Sequence, residues 1–398
     1  MRELLTAKIS QAQRSVLEQT TVDNHSPGPL LANINTLIDA IGAGMQTTSA
    51  YFALPQRVLK ELNDSLVEPL PHQLKRPQLR SFPTLMGLFV LLRGTGLAVG
   101  ETKPKRVVLI DPAMKEQWQA LNPTEQYFAL MASWFYESSL DCVGIQSGGV
   151  AGMLRETRDA YFRLDDRITR PTSDRFGMRT EPSVANALLH QFGWIRLTHD
   201  TKAQPGKAAN VCEVVRSPLG DAMFVVNCQF GAFEDENEPT MQTKMQKYFP
   251  DWKQVLTQPT AECRQGAHTF KVSLGKIWRR IVAPTDANLE QLADAILHAY
   301  QFNHEHLYEF ELRDTRGRSL SVAGPHIREA EHFADEMRVG DVPLSIGDSM
   351  VFHYDFGDDW RFNVTLESID ESDTGKTKTL KVTAESGTAP TQYDQGDW

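Results

Sequence analysis

The chain has 398 residues, 41% apolar and 23% charged, ordinary values for a globular protein of roughly two to four domains. Its net charge of −10 lies in the last third, where residues 268–398 hold 13 Lys and Arg against 23 Asp and Glu, while residues 1–267 hold 28 of each. An acidic module repels phosphate, which weighs against a nonspecific grip on nucleic acid by that third; the absence of any apolar run of ~18 residues and of a signal-peptide block argues against a membrane span and for a cytoplasmic location.

Residues 1–70 read as helices. Ile34, Leu37, Ile38 and Ile41 form one apolar stripe, and Val58, Leu59 and Leu62 form another, with a breaker at His25-Ser26-Pro27-Gly28-Pro29 between them. A helix from Thr84 to Arg93 ends at Gly94. A short apolar segment follows, then a polar loop carrying Lys103, Pro104, Lys105 and Arg106, a strand Val107 to Ile110, and a helix opened by Asp111-Pro112. Helix, strand, basic loop, strand, helix is the order that ends a winged-helix module. The window from Pro69 to Ile110 has seven basic residues, Lys75, Arg76, Arg80, Arg93, Lys103, Lys105 and Arg106, against the single acid Glu101. These seven are the candidate nucleic-acid contacts.

Asn122-Pro123-Thr124-Glu125 starts a helix with a cap, a proline at the first position and a carboxylate at the third. Its Tyr127, Phe128, Leu130, Met131, Trp134 and Phe135 read as core rather than as a base-stacking platform. Residues 155–179 carry Arg155, Arg158, Arg163, Arg167, Arg170, Arg175 and Arg179 among five acids, a net of +2, and read as a solvated helix laced with ion pairs, with a phosphate-contacting helix as the alternative. An echo of the first unit follows near residue 184, where LLHQFGWIR answers LLRGTGLAV and CEVVRSPLGDAM answers VVLIDPAMKEQW by pattern. Residues 231–239 read as an acidic loop. Cys142, Cys212, Cys228 and Cys263 are scattered, without the close pairs of a zinc site, and are expected as thiols.

From His268 the pattern becomes regular. Phe270, Val272 and Leu274 alternate as a strand, Asn288 and Gln291 make a capping box for a helix, and His304, His306, Tyr308 and Phe310 alternate again. Residues 351–366, VFHYDFGDDWRFNVTL, read as a hairpin around Gly357-Asp358-Asp359. Phe352, Tyr354 and Phe356 are expected on one face of its first arm, and Trp360, Phe362, Val364 and Leu366 on one face of its second. His353, Asp355, Arg361 and Asn363 take the other face, and with Asp358 and Asp359 they define the motif surface.

VSLGKIWRRIVAP, the capped helix, HLYEFEL and HYDFGDDWRF occur in that order, and Gly387, Ala389, Pro390, Gln392 and Tyr393 follow. This third of the chain resembles the plasmid pRiA4b ORF-three-like family, also met as passenger proteins of bacterial insertion elements. The resemblance implies a compact α+β module with an antiparallel sheet, a winged-helix-like N-terminal extension, a link to mobile elements and no settled biochemical activity. Phe362 and Tyr308 stand where many relatives have histidine.

The fold expected is α+β and multidomain: a helical segment over 1–75, winged-helix-like units over 76–140 and 181–265, an Arg-rich connector over 141–180, and the α+β module over 266–398. The function expected is a non-catalytic adaptor or regulator without a cofactor, meeting DNA through the N-terminal region or a protein through the acidic module. The alternatives are a structural scaffold and a phosphodiester hydrolase that binds Mg²⁺ or Mn²⁺ through Asp355, Asp358 and Asp359. No Walker loop, GxGxxG, HExxH or GxSxG occurs.

Overall fold

The structure is a computed structural model, and it describes residues 9–102, 105–162, 164, 183–227, 240–258, 263–373 and 375–393. Lys103, Arg163, Arg167, Arg170, Arg175, Arg179, Cys228 and the 231–239 acidic segment lie outside the described residues. The chain is α+β and folds as two units, one of residues 1–100 and 107–258, the other of residues 101–106 and 259–398. No described helix is long and apolar enough to cross a membrane. Cys212 and Cys263 are free thiols, and Cys142 is buried.

In the first unit the helices α1 (Gln11–Gln19), α2 (Leu30–Ile41), α3 (Leu59–Asp64) and α4 (Pro83–Gly94) precede a hairpin of β2 (Ala98–Glu101) and β3 (Val107–Ile110). A two-residue strand β1 (Met45–Gln46) joins that hairpin, with Met45 opposite Val108 and Gln46 opposite Val107, so the sheet order is β1-β3-β2. The sheet therefore draws on residues upstream of position 76. Then come α5 (Pro112–Ala120), α6 (Pro123–Tyr136), α7 (Gly149–Phe162), α8 (Val184–Gln191), the hairpin of β4 (Ile195–His199) and β5 (Val211–Arg216), α9 (Pro218–Asn227) and α10 (Met241–Met245).

α4 is apolar on every side, and every one of its residues except Thr84 is buried. A helix without a polar face belongs inside a core. α4 packs on α8, and Gly87 permits the approach: a Cβ there would stand 2.9 Å from Leu188 Cγ and Cδ2 and 3.3 Å from Val184 Cγ1. α6 begins with the expected reciprocal cap, Asn122 Oδ1 accepting from the Glu125 amide and Glu125 Oε2 from the Asn122 amide. Its Tyr127, Phe128, Leu130, Met131 and Trp134 are core. On α7, Arg155, Glu156 and Arg158 are exposed, as a solvated face requires.

The second unit is a seven-stranded antiparallel sheet in the order β12-β7-β6-β11-β10-β8-β9. Its strands are β6 (Ala267–Leu274), β7 (Ile277–Pro284), β8 (Tyr308–Arg313), β9 (Ser319–Ala323), β10 (Ser349–Tyr354), β11 (Trp360–Asp370) and β12 (Lys381–Ser386), and α11 (Leu289–Tyr300) covers one face. The capping box at Asn288 and Gln291 fixes the start of α11. Leu289, Leu292, Ala293, Ile296, Leu297 and Tyr300 belong to one apolar core with Phe270, Val272, Ile281, Phe310, Phe352, Phe362, Val364 and Leu366. The register shifts at the edge pair, between Val382 and Ala384 on β12.

His268 points into this core and is fully buried. Its Nδ1 lies 3.3 Å from the Gly266 carbonyl, and Nε2 has no hydrogen-bond partner. Burial first, and the Arg264 charge second, hold its pKa below the ordinary 6.5. The folded state resists a proton that the unfolded state accepts, so this contribution to stability is full above about pH 6.5 and declines as pH falls below it. Urea unfolding of the second unit, followed by amide exchange on β6, should show a midpoint that drops from neutral pH to about pH 5, and His268→Phe should flatten the drop. Equal pH slopes in both proteins would show that His268 is not the acid-sensitive group.

Candidate functional site

The arms of the hairpin form as expected, but the first ends at Tyr354. Asp355 turns the backbone to φ +54° and Asp359 to φ +55°, a left-handed conformation that short Asp side chains tolerate. The Asp359 amide donates to the Asp355 carbonyl at 2.7 Å and closes a five-residue turn. Because the strand ends early, Phe356 does not share the face of Phe352 and Tyr354. It stands 44% exposed, with its ring 4.8 Å from that of His353. Trp360, Phe362, Val364 and Leu366 do line up, with Trp360 half-buried against Phe302.

Asp355 is a structural carboxylate. Its Oδ1 accepts from the amides of Gly357 at 3.1 Å and Asp358 at 3.4 Å, and its Oδ2 lies 3.4 Å from His306 Nδ1. Asp358 is exposed. Asp359 instead faces Arg361 Nε at 2.8 Å and His353 Nε2 at 2.9 Å. The Arg361 hydrogen bond, with His353 adding to it, holds the Asp359 carboxyl below its usual value. Thus Asp355, Asp358 and Asp359 do not gather their oxygens around one point.

What gathers instead is a row across three strands on the sheet face opposite α11. His353 on β10 pairs with Arg361 on β11 and with Glu309 on β8, and Val351 pairs with Glu311. His353 Nδ1 lies 3.7 Å from Glu309 Oε1 and 3.6 Å from Glu311 Oε1. Arg361 reaches over the row, donating from one terminal nitrogen to Glu311 at 3.2 Å and from the other to His353 Nδ1 at 3.3 Å. Asn363 is exposed on the same strand. Glu309 and Glu311 were not singled out in the sequence. Their i, i+2 spacing marks a shared face, but only the β8–β10 pairing sets them against His353.

A second network joins residues ahead of β8 to the C-terminal segment. His306 Nε2 lies 2.7 Å from the Tyr393 hydroxyl, which accepts from Gln392 Nε2 at 2.9 Å and Asn303 Nδ2 at 3.1 Å. The Tyr354 hydroxyl donates to the Asn303 carbonyl at 2.6 Å. His304, by contrast, turns to Asp294 Oδ1 at 2.9 Å. The two histidines therefore do not share a strand face. They precede β8, which begins at Tyr308, and each has its own partner.

Residues 268–396 match the family described as plasmid pRiA4b ORF-3-like protein. No curated protein matches the chain. Among solved structures, the protein of unknown function MM3350 from Methanosarcina mazei Go1 is 23% identical, over 30% of this chain and 70% of that one, with a TM-score of 0.27. The charged row and the GDD turn both lie within the pRiA4b ORF-3-like region.

The described basic residues of the window from Pro69 to Ile110 differ in exposure. Lys75, Arg76, Arg80 and Lys105 are exposed and Arg106 is half-buried. Arg93 is 1% exposed, inside the core on α4, so it cannot be a phosphate contact. The expectation failed because arginine is usually a surface residue and the helix carrying it has no outer face. One convergence was missed. Gln73 donates its amide to the Lys207 carbonyl at 2.8 Å and accepts at its own carbonyl from the Gly206 amide at 3.1 Å. This pairing carries Lys75 and Arg76 beside the loop of Lys202 and Lys207, all four exposed outside the pRiA4b ORF-3-like region.

Proposed function

We propose that the protein is a non-catalytic adaptor that binds a protein partner, in keeping with a family tied to mobile elements. The N-terminal unit is read as two winged-helix-like halves. The first runs α2, β1, α3, α4 and the β2–β3 hairpin with sheet order β1-β3-β2; the second repeats helix, hairpin and helix in α8, β4, β5 and α9. In a DNA reader of this kind one helix enters the major groove. Here the helices in that position, α4 and α8, are buried against each other at Gly87 and Leu188. That mutual burial carries the reading, because it removes the surface that would meet base edges. The acidic balance of the C-terminal region favours a basic protein surface as partner.

The second reading, phosphate binding, is favoured by the exposed group of Lys75, Arg76, Lys202 and Lys207. Such contacts position a duplex without reading sequence. The test is anisotropy of a labelled DNA duplex and of a lysine-rich peptide with the full chain over a salt series, beside a Lys75/Arg76/Lys202/Lys207→Ala variant. The expected result is peptide binding that weakens with salt in both proteins, and only weak, salt-steep DNA binding that the variant loses. Tight, sequence-selective DNA binding would overturn the adaptor reading. Failure to bind the peptide would remove its acidic-surface element.

A further inference from the structure

The row on β8, β10 and β11 holds more negative charge than its own cation balances. Glu309, Glu311 and Asp359 surround one imidazole; Glu311 and Asp359 share the guanidinium of Arg361, while Glu309 accepts from Ser321 Oγ at 2.6 Å. His353 is only 7% exposed, and Asp359 Oδ1 pairs with its Nε2 at 2.9 Å. Nδ1 faces Glu309 and Glu311, and one ligand atom from each of the three residues lies within 4.8 Å of the others. A tetrahedral ion with ligands at about 2.0–2.2 Å sets neighbouring ligand atoms ~3.3–3.6 Å apart. The 3.6 and 3.7 Å separations of Nδ1 from the two carboxylates are close to that spacing.

We propose that Glu309, Glu311 and His353 bind a divalent first-row transition-metal ion, with Asp359 orienting the imidazole and Arg361 holding the cation position until the ion displaces it. One imidazole with two carboxylates suits manganese through zinc better than magnesium or calcium, which prefer all-oxygen sites. A carboxylate on the far nitrogen is the usual support for a metal-bound histidine. Arg361 is well placed to leave, being half exposed and retaining a hydrogen bond from Nε to Asp359. The site differs from a carboxylate set of Asp355, Asp358 and Asp359, and it does not depend on the adaptor reading.

The test is titration of the full chain with Co²⁺, followed by visible absorption and calorimetry, with Zn²⁺ as competitor. One ion should bind. Glu309→Gln and Glu311→Gln should each weaken binding by about tenfold or more, and Arg361→Ala should tighten it ~5-fold by removing the competing charge. Glu329→Gln, an exposed carboxylate elsewhere in the unit, should leave it unchanged. Circular dichroism of each variant separates loss of ligand from loss of fold. Binding that ignores Glu309→Gln and Glu311→Gln overturns the site. Binding by Arg361→Ala but not by the natural chain overturns it too, since Arg361 would then be the permanent counter-ion.

Discussion

Phe352→Ala should cost the second unit about 3–5 kcal/mol, the range for emptying a large aromatic from a packed core. Phe352 is fully buried at the middle of β10, with Phe310 opposite it on β8 and Phe362 opposite it on β11. Its ring centroid lies 4.8 Å from Phe310, 5.5 Å from Tyr308, 5.8 Å from Phe362 and 6.1 Å from Tyr354. The strands hold these neighbours in register, so they can close only part of the hole. The two units need not unfold together, so the measurement is amide exchange on residues 308–313 and 349–354 in the full chain. A loss under ~1 kcal/mol would mean that the sheet repacks freely around the gap.

Glu125→Ala should be as damaging to the first unit, for an electrostatic reason. Glu125 is 2% exposed, yet each of its oxygens is used: Oε2 accepts from the Asn122 amide at 2.9 Å, and Oε1 from the amides of Lys253 at 3.0 Å and Gln254 at 2.7 Å. One carboxylate thus caps α6 and anchors the segment that follows α10. Alanine would strand three backbone donors, at ~1–3 kcal/mol for each that water cannot reach. Glu125→Gln keeps the side chain's length and one acceptor oxygen, so it should lose less. Urea unfolding followed by the fluorescence of Trp134 and Trp252 would rank the two variants. Equal losses would show that size, not hydrogen bonding, sets the cost.

What the sequence revealed depended on how local each signal was. The β10–β11 hairpin, the α6 cap and the α11 cap rest on residues a few positions apart, and all three are present. Phe356 was misplaced because alternation runs on in the sequence after the backbone has turned at Asp355. Likewise, His304 and His306 alternate but lie ahead of the strand. Strand β1 is two residues long and exists only because β3 offers it an edge, so no run of residues could announce it. The Glu309–Glu311–His353 row joins segments some forty residues apart, and nothing local relates their registers. Arg93 shows the opposite limit: its surroundings read as apolar, but its own residue type pointed outward.

The sheet of the second unit has open ends, and an open end is a template on which another chain can add. The two ends are blunted differently. At β12 the register shift between Val382 and Ala384 breaks the even spacing of amides and carbonyls, and Lys381 and Glu385 put opposite charges along the rim. At β9 the same chain supplies a partial cover: the Ala323 amide donates to the His332 carbonyl at 3.0 Å, and the Ala334 amide to the Ala323 carbonyl at 2.8 Å. A growing fibril would have to strip away one rim's hydrogen bonds and straighten the other. Both rims of the seven-stranded sheet are therefore poor templates for a further strand.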